Sequence, residues 1–425
     1  MTIALFLLVL FAAMTVGVPI AFALMLTALA LMVHLDFFDA QLLAQNVQAG
    51  FDSFPLLAVP FFILAGELMN AGGLSRRIID LARAFVGHIP GGLGYVAIAA
   101  SVMLASMSGS AIADTAALAT LLLPMMRQQR YPEGTSAGLI ASGGIIAPII
   151  PPSMPMVIYG VTTNTSISKL FLAGIVPGLL MAVSLVLVWR RISRKEQLPV
   201  ADKTSWAQRR AVLSSSIWAL FMPVIIIGGL RLGLFTPTEA AVVAAVYALI
   251  VAMFVYRELS VAGLYRVFVD AARTTGVVMF LCGAATAASY MITLADLPNE
   301  LAGVMGPLLQ NPYLFMVVVA VFLLAVGMVM DLTPTILILA PVLAPLAAKA
   351  GIDPVYFGFV FIFIGCLGLL TPPVGTVLNV VAGVGGLRME PVIRGVMPFL
   401  LVYVAMLALL IGFPAIVLQP LKWMF

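Results

Sequence analysis

The chain reads as an all-α polytopic membrane protein built from two inverted-topology repeats, each carrying a re-entrant hairpin and an interrupted helix. Three observations lead there. Apolar stretches of about 20 residues, the length that spans a bilayer as helix, recur from end to end. Breaks bearing serine, threonine, glycine, a lone Asp or a double proline interrupt several of them. Those breaks occur twice, at matched spacing and with opposite charge bias around them.

The 425 residues are 63% hydrophobic and 9% charged, with a mean hydropathy of +1.18. A soluble domain carries about 25% charged residues, so no soluble core accounts for this composition. The apolar runs are continuous rather than short and alternating, which favours helices over a transmembrane β-barrel. The opening MTIALFLLVLF lacks a basic region and an AxA-like site, and is expected to be the first helix rather than a cleaved signal. Cys282 and Cys366 make no disulfide framework, and the isolated His34 and His88 make no zinc-type cluster. A net charge of +4, scattered along the chain, is too weak for nucleic-acid binding.

In order, Thr2 to Val33 is expected as span one, followed by a loop, His34 to Asp52, without Lys or Arg. Leu56 to Leu68 and its flanks form span two. The amphipathic stretch Gly72 to His88, with Arg76, Arg77, Asp80 and Arg83, suits a helix lying along a surface. Pro90 to Gln129 breaks near Ser106 to Asp114 and is expected as a re-entrant hairpin. Thr135 to Thr163 is a span interrupted at Pro148 to Pro155, and Phe171 to Trp189 is continuous. The polar loop Arg190 to Arg210 holds seven of the 21 Lys and Arg, and Val212 to Gly229 follows as a connecting helix. Thr238 to Phe254 spans, Tyr256 to Arg273 links with Arg257, Arg266 and Arg273, and Gly276 to Leu294 spans again. Leu297 to Leu309 precedes a second hairpin, Pro312 to Lys349, broken at Gly327 to Pro334. Pro354 to Val384 is interrupted at Thr371 to Pro373, and Met397 to Val417 closes the chain. Repeat 1 is thus residues 1–189 with its hairpin at about 90–130. The loop and connecting helix occupy 190–235, and repeat 2 occupies 236–425 with its hairpin at about 312–349.

The repeats align by spacing. Asp114 precedes Pro124 by ten residues, as Asp331 precedes Pro341. With Pro151-Pro152 laid on Pro372-Pro373, Gly144 falls on Gly365, Gly174 on Gly395 and Pro177 on Pro398. Four crossings per repeat and one connecting helix make nine, which sets the repeats in opposite orientation. The positive-inside rule puts Arg190 to Arg210 in the cytoplasm. Counting from there, the Arg76–Arg83 helix and the Tyr256–Arg273 link are inside. The unbased segments His34 to Asp52 and Leu297 to Leu309 are outside. The count places the N-terminus in the cytoplasm and the C-terminus outside.

Backbone groups left unpaired in hydrocarbon cost several kcal/mol each, so a break must face protein, water or ligand. Opposed tips near the midplane make a site reachable from either face, the arrangement of an alternating-access carrier. Helix N-termini there suit carboxylate oxygens, and exposed carbonyls suit a cation. Asp114 and Asp331 either cap helices or take part in ion binding. Ser106, Ser108, Gly109 and Ser110 form either a polar turn for an ion or carboxylate, or a small-residue packing surface. The double prolines act as hinges or free carbonyls for a cation, with Ser153, Thr371 and Thr376 nearby. Sodium and proton are not distinguished by these residues. Asn164 and Asn379 lie just beyond the breaks, beside a substrate path. Glu67 and Glu239 lie in apolar spans, and the 24 methionines suit irregular packing. GGLGYVA at Gly91 lacks the Lys-Ser/Thr of a nucleotide loop, and no nucleophile–base pair suggests an enzyme.

The motifs SGSAIADTAAL, IAPIIPPSMPMVIYG, MDLTPTILILAPVLAP and GLLTPPVGTVLNVVAG resemble those of the large membrane subunit of tripartite ATP-independent periplasmic (TRAP) transporters. The resemblance covers essentially the whole chain. It implies an elevator-type carrier in the bacterial inner membrane, with sodium-coupled uptake of C4-dicarboxylate, sialic acid or sugar-acid cargo. It also implies a periplasmic substrate-binding protein and a small four-helix membrane subunit, here a separate chain. The sodium-binding regions it implies hold Ser106, Gly109, Asp114 and Pro151 in the first half, and Gly327, Asp331, Thr333, Gly365, Thr371 and Thr376 in the second. Ser108, Ser110, Asn164 and Asn379 are the substrate candidates. The alternatives are a proton- or sodium-coupled anion carrier without a binding protein, and a membrane scaffold that does not transport.

Overall fold

The computed structural model describes residues 2–200 and 203–424. Met1, Phe425 and the linker residues Ala201 and Asp202 lie outside the described residues. Every regular element described is helical. Before the linker come α1 (Thr2–Thr15), α2 (Ile20–His34), α3 (Ala40–Phe51), α4 (Ala58–Ala71, entered through a tight turn at Phe54–Leu57) and α5 (Leu74–Val86). They continue with α6 (Gly92–Ser108), α7 (Ala111–Gln128), α8 (Glu133–Gly144), α9 (Met154–Thr163) and α10 (Ile167–Lys195). After it come α11 (Trp206–Arg231), α12 (Pro237–Ile250, running into a wider turn at Val251–Val255), α13 (Val261–Leu294), α14 (Leu297–Val304) and α15 (Gly306–Leu309). The chain ends with α16 (Pro312–Gly327), α17 (Leu332–Lys349), α18 (Pro354–Leu369), α19 (Thr376–Gly385), α20 (Met389–Gly412) and α21 (Ala415–Met424). Among the described residues, seven helices are long and apolar enough to cross a membrane.

Polar residues mark where helices begin, because the first N–H groups of a helix need outside acceptors. Asp39 accepts from the Gln41 and Leu42 amides at 2.8 and 3.0 Å. Asn311 and Asp353 do the same for α16 and α18. Ser205 with Gln208, and Thr236 with Glu239, form reciprocal capping boxes. Glu239 is therefore a helix-start residue bonded to Thr236, not a carboxylate inside a span.

Three expectations change. Thr2 to Val33 is not one span: Gly17, at φ +88°, and Pro19 end α1 and start α2, and the two helices pack on each other. The count of nine crossings assumed a single helix there. Tyr256 to Arg273 is not a separate link, since most of it belongs to the 34-residue α13, capped by Ser260. The polar loop shortens because α10 runs to Lys195 and α11 starts at Trp206, so most of its basic residues sit on helix ends.

The helices gather into two sets. In one, α13 packs on α2, α3 and α4, α12 packs on α4, and α1 packs on α2. In the other, α8 packs on α6, α7 and α20, α18 on α16 and α17, and α10 on α9, α20 and α21. α5 touches both α4 and α6, and α14 touches both α13 and α17, so a short helix bridges the two sets at each of two places. α18 is the centre of the second set: all residues from Val355 to Leu369 are buried, as expected of a helix apolar on every face.

Close backbone approach holds the second set together. A methyl on Gly138 of α8 would stand 2.4 Å from the Gly395 carbonyl carbon of α20, and one on Gly395 would stand 2.0 Å from the Gly134 oxygen. Gly134 and Gly138 are four apart, the small-residue spacing that lets membrane helices meet backbone to backbone. The Tyr403 hydroxyl, fully buried on α20, donates to the Ser142 carbonyl at 3.0 Å along the same seam. At the base of the α6–α7 pair, buried Trp189 donates to the Gly91 carbonyl at 2.9 Å and stacks on Tyr131. Ser193 donates to the Pro90 carbonyl at 2.8 Å.

Replacing Gly138 with Ile forces α8 and α20 apart and is expected to cost about 2 kcal/mol or more. Thermal unfolding of the detergent-purified protein measures it as a lowered Tm. Gly228→Ala, where a methyl meets nothing within 4 Å, leaves the Tm unchanged or slightly raised.

Candidate functional site

The first tip joins α6 to α7 through Gly109 and Ser110. Gly109 is left-handed at φ +62°, and a methyl there would lie 2.6 Å from the Pro152 carbonyl oxygen. Only glycine lets the tip settle against the first break. Ser110 caps α7, accepting from the Ala113 amide at 3.3 Å. That leaves Asp114 free of a capping role. Its Oδ1 accepts a hydrogen bond from the Ser108 hydroxyl, which itself accepts from the Ser110 amide at 3.2 Å.

Asp114 is 3% exposed, and its Oδ2 has no hydrogen-bond partner among the described residues. The neighbouring Thr115 Oγ1, also buried, has none either. Both belong to the first turn of α7, where Gly144 of the interrupted helix comes closest: a methyl on Gly144 would sit 1.8 Å from Thr115 Oγ1 and 3.2 Å from the Ala111 carbonyl oxygen. Buried unpaired oxygens cost free energy unless something answers them. Carboxylate, hydroxyl and carbonyl oxygens are the hard donors that a small hard cation takes. Among the described residues no three His, Cys, Asp or Glu cluster in the way a softer metal requires.

The second tip repeats the construction with different chemistry. Gly327 closes α16 against Gly368, where a methyl would stand 2.6 Å from the Gly327 Cα. Asp331 takes the cap position of α17 but makes no side-chain cap bond. A methyl on Gly365 would meet Leu332 at 2.3 Å. Gly144 against Thr115 and Gly365 against Leu332 are equivalent positions in the sequence register. One half thus presents an oxygen where the other presents a methyl. The Thr376 hydroxyl, past the second break, is buried and unpartnered among the described residues.

A cavity of about 70 Å³ brings the halves together. Gly109 and Ser110 of the first tip face Asp331 and Thr333 of the second, with Pro148 and Leu369 from the two breaks and Val278 of α13 closing it. Other candidates lie outside it. Ser106 donates to the Met103 carbonyl at 2.7 Å and borders an apolar cavity against α11. Pro151 is buried in the break, where the Pro148 carbonyl is taken by Ser153 Oγ at 2.6 Å. Thr371 donates to the Leu367 carbonyl at 2.7 Å. Asn379 is exposed and donates to the Val374 carbonyl at 2.8 Å. Asn164 is exposed at the left-handed end of α9.

Two residues at this site were not singled out in the sequence. Thr115 follows Asp114 directly, but its burial against Gly144 is visible only in three dimensions. Arg273 borders a larger cavity, about 710 Å³, together with Asp331 and Thr333. Its signal is the spacing of Arg266, Asp270 and Arg273 at i, i+4 and i+7, which marks one face of a helix rather than a loop.

Residues 7–416 match the family described as "Tripartite ATP-independent periplasmic transporter, DctM component". The chain belongs to this family. It is 54% identical over 423 residues, covering 100% of each chain, to the 2,3-diketo-L-gulonate TRAP transporter large permease protein of Escherichia coli K12. It is 40% identical over 398 residues to the sialic acid TRAP transporter large permease protein of Vibrio cholerae, covering 94% of this chain and 93% of that one. It is 38% identical over 373 residues to the C4-dicarboxylate TRAP transporter large permease protein of Pseudomonas aeruginosa, covering 88% and 87%. The fold is similar to that of the Alcanivorax borkumensis YdaH transporter, with a TM-score of 0.60, 15% identity and 87% of each chain covered. This DctM subunit is a multi-pass inner-membrane transport protein and not an enzyme.

A methyl introduced by Gly144→Ala runs into the Thr115 hydroxyl and approaches the Ala111 carbonyl oxygen. Uptake by the assembled complex is expected to fall at least tenfold while the subunit still reaches the membrane. Radiolabelled-cargo uptake, scaled to the amount of subunit in isolated membranes, measures it.

Proposed function

We propose that this DctM subunit performs sodium-coupled secondary uptake of a small organic acid. A periplasmic binding protein hands over the acid, and a separate small membrane subunit completes the complex. The observation that carries the reading is the shared cavity, walled by residues of both tips and both breaks, and the unpartnered buried oxygens of Asp114 and Thr115 on α7 support it. The relatives' names, for 2,3-diketo-L-gulonate, sialic acid and C4-dicarboxylate, support an organic-acid cargo. The family description supports a three-part assembly.

In this reading residues 1–189 and 236–425 are inverted repeats, and α6–α7 and α16–α17 are re-entrant hairpins. The set around α18 moves as an elevator against the set around α13, with α5 and α14–α15 as the connecting arms. Asp114 Oδ2, Thr115 Oγ1 and neighbouring backbone oxygens hold one sodium ion. Ser110, Asp331 and Thr333 face the cargo path. Thr376, with its unpartnered hydroxyl, marks the equivalent region of the second half. A bound cation offsets the cost of burying the Asp114 carboxylate, which couples cargo movement to the sodium gradient.

The basic ends of α10 and α11 face the cytoplasm by the positive-inside rule. The chain then leaves the membrane on the periplasmic side after α20. α1 packs along α2, whose end is taken as periplasmic in the same count, and touches α14. The start of α1 is accordingly proposed to face the periplasm, opposite to the side a single-helix count gives.

Proteoliposomes holding the complete complex are expected to accumulate the cargo acid only with an inward sodium gradient. Asp114→Asn raises the half-saturating sodium concentration about tenfold, or about 1.4 kcal/mol. Accumulation that proceeds equally well without sodium rules the coupling out.

A further inference from the structure

Ser106 and Met107, at the end of α6, border an apolar cavity of about 280 Å³ that is separate from the cavity between the tips. Its other walls come from α5 through Ile78, from the first break through Ile150, from α10 through Leu179, and from α11 through Leu220 and Ile227. Every lining residue except Ser106 is apolar, and Ser106 has given its hydrogen to the Met103 carbonyl. Water finds no partners in such a space, whereas hydrocarbon fits it. α10 and α11 both pack on α6, so the space between them is a slot with α6 as its floor.

Leu179 lies eleven residues before Arg190 on α10, and Leu220 lies eleven residues after Arg209 on α11. Eleven residues make about three turns and about 16 Å of helix, so each arginine continues the cavity-facing row of its own helix. One leaflet of a bilayer is about as deep, since the hydrocarbon layer measures about 30 Å in all. Between the arginines and the cavity the rows pass Val183 on α10 and Leu213 on α11, both apolar and exposed. On α5, Phe85 stands two turns from Ile78 on the same face. The Arg209 guanidinium lies 5.8 Å from the centre of the Phe85 ring and 5.7 Å from that of Trp206. Trp206 is exposed, as suits a tryptophan at the membrane–water boundary. The Arg209 Nε is buried and has no hydrogen-bond partner among the described residues. A phosphate oxygen at that level supplies the acceptor.

We infer that the slot holds one tail of an anionic phospholipid, with the phosphate on Arg209 and with Arg190 at the end of the facing helix. The described residues 190–200 and 203–210 hold seven Lys and Arg against one acid, Glu196. Such a cluster at helix ends attracts a head group with net negative charge. A zwitterionic head group offers the same phosphate without the net charge and binds more weakly. The slot suits a narrow unbranched chain better than a partner helix about 10 Å across. Seated there, the tail lies between α11 and the first helix pair, against Ile78 and Met103. The site goes beyond the proposed transport and depends on neither the cargo nor the ion.

The test is native mass spectrometry of the purified membrane complex, equilibrated with equal amounts of dioleoyl-phosphatidylglycerol and dioleoyl-phosphatidylcholine, which differ only in the head group. The wild type is expected to retain phosphatidylglycerol about fivefold over phosphatidylcholine. Arg209→Gln lowers that preference to less than about twofold, and Arg209→Lys, which keeps the charge, retains it. Leu179→Trp fills the slot from a half-exposed position and lowers retention of both lipids about fivefold. Arg231→Gln, at the opposite end of α11, leaves retention unchanged. Each variant is read only if it assembles and melts like the wild type in lipid-free detergent, and the Arg209 pair decides the matter if Leu179→Trp does not. Equal retention of the two lipids by the wild type overturns the inference, as does an unchanged preference in Arg209→Gln. Lipid retained by the isolated subunit but not by the complex also overturns it, and assigns the slot to a helix of a partner.

Discussion

A helix that stops inside a membrane leaves backbone N–H and C=O groups that hydrocarbon cannot satisfy, and the architecture follows from where those ends are covered. Both helix pairs end in tips that lie on the break of a neighbouring interrupted helix. Gly109 sits on the Pro152 carbonyl, and Gly327 on Gly368. Both contacts are closer than any side chain permits. Each tip is thereby shielded by protein while its exposed face turns toward the other tip. The cavity between Ser110 and Thr333 is what remains when two such shielded ends face each other.

The rest of the molecule serves that contact. α18, buried from Val355 to Leu369, and α8, locked to α20 through Gly138 and Gly395, form a frame behind the tips. Trp189 and Tyr131 fix the base of the first hairpin. On the far side α13 runs unbroken for 34 residues and supplies one wall to each of three cavities, through Arg273, Val278 and Thr286. One set of helices is interrupted and carries the orphaned oxygens. The other contributes the unbroken α13, which borders the cavity between the tips through Val278. That division of labour suits a carrier whose cargo site moves past a fixed surface.

The two halves share packing but not chemistry. At equivalent positions Gly144 meets the Thr115 hydroxyl, while Gly365 meets the Leu332 methyls. The first tip buries Asp114 behind a serine-capped turn, whereas the second leaves Asp331 beside the cavity without a cap bond. One tip is thus followed by buried, unpartnered oxygens, and the other sets a carboxylate against the cavity. Asp114 and Asp331 look interchangeable in a spacing alignment, yet they face different surroundings.

Composition alone determined that this is a helical membrane protein, because burying or solvating this much apolar sequence any other way is too costly. Glycine and double-proline punctuation located the four breaks, since few residues tolerate the backbone conformations needed there, and their matched spacing is the basis of the proposed repeat. Residue order also located helix starts such as Asp39, Asn311 and Asp353, because capping is local. It did not separate α1 from α2 or recognise α13 as continuous. A glycine-proline turn between two apolar runs reads much like a kink, and the arginines of α13 read like a loop. Only tertiary structure decided which polar side chains are spent on their own helices, as in Ser106, Thr371 and Asn379, and which keep an oxygen free, as in Asp114, Thr115 and Thr376. Hydrogen-bond satisfaction depends on what a neighbouring helix brings within 3 Å, and sequence order does not carry that information across more than one turn.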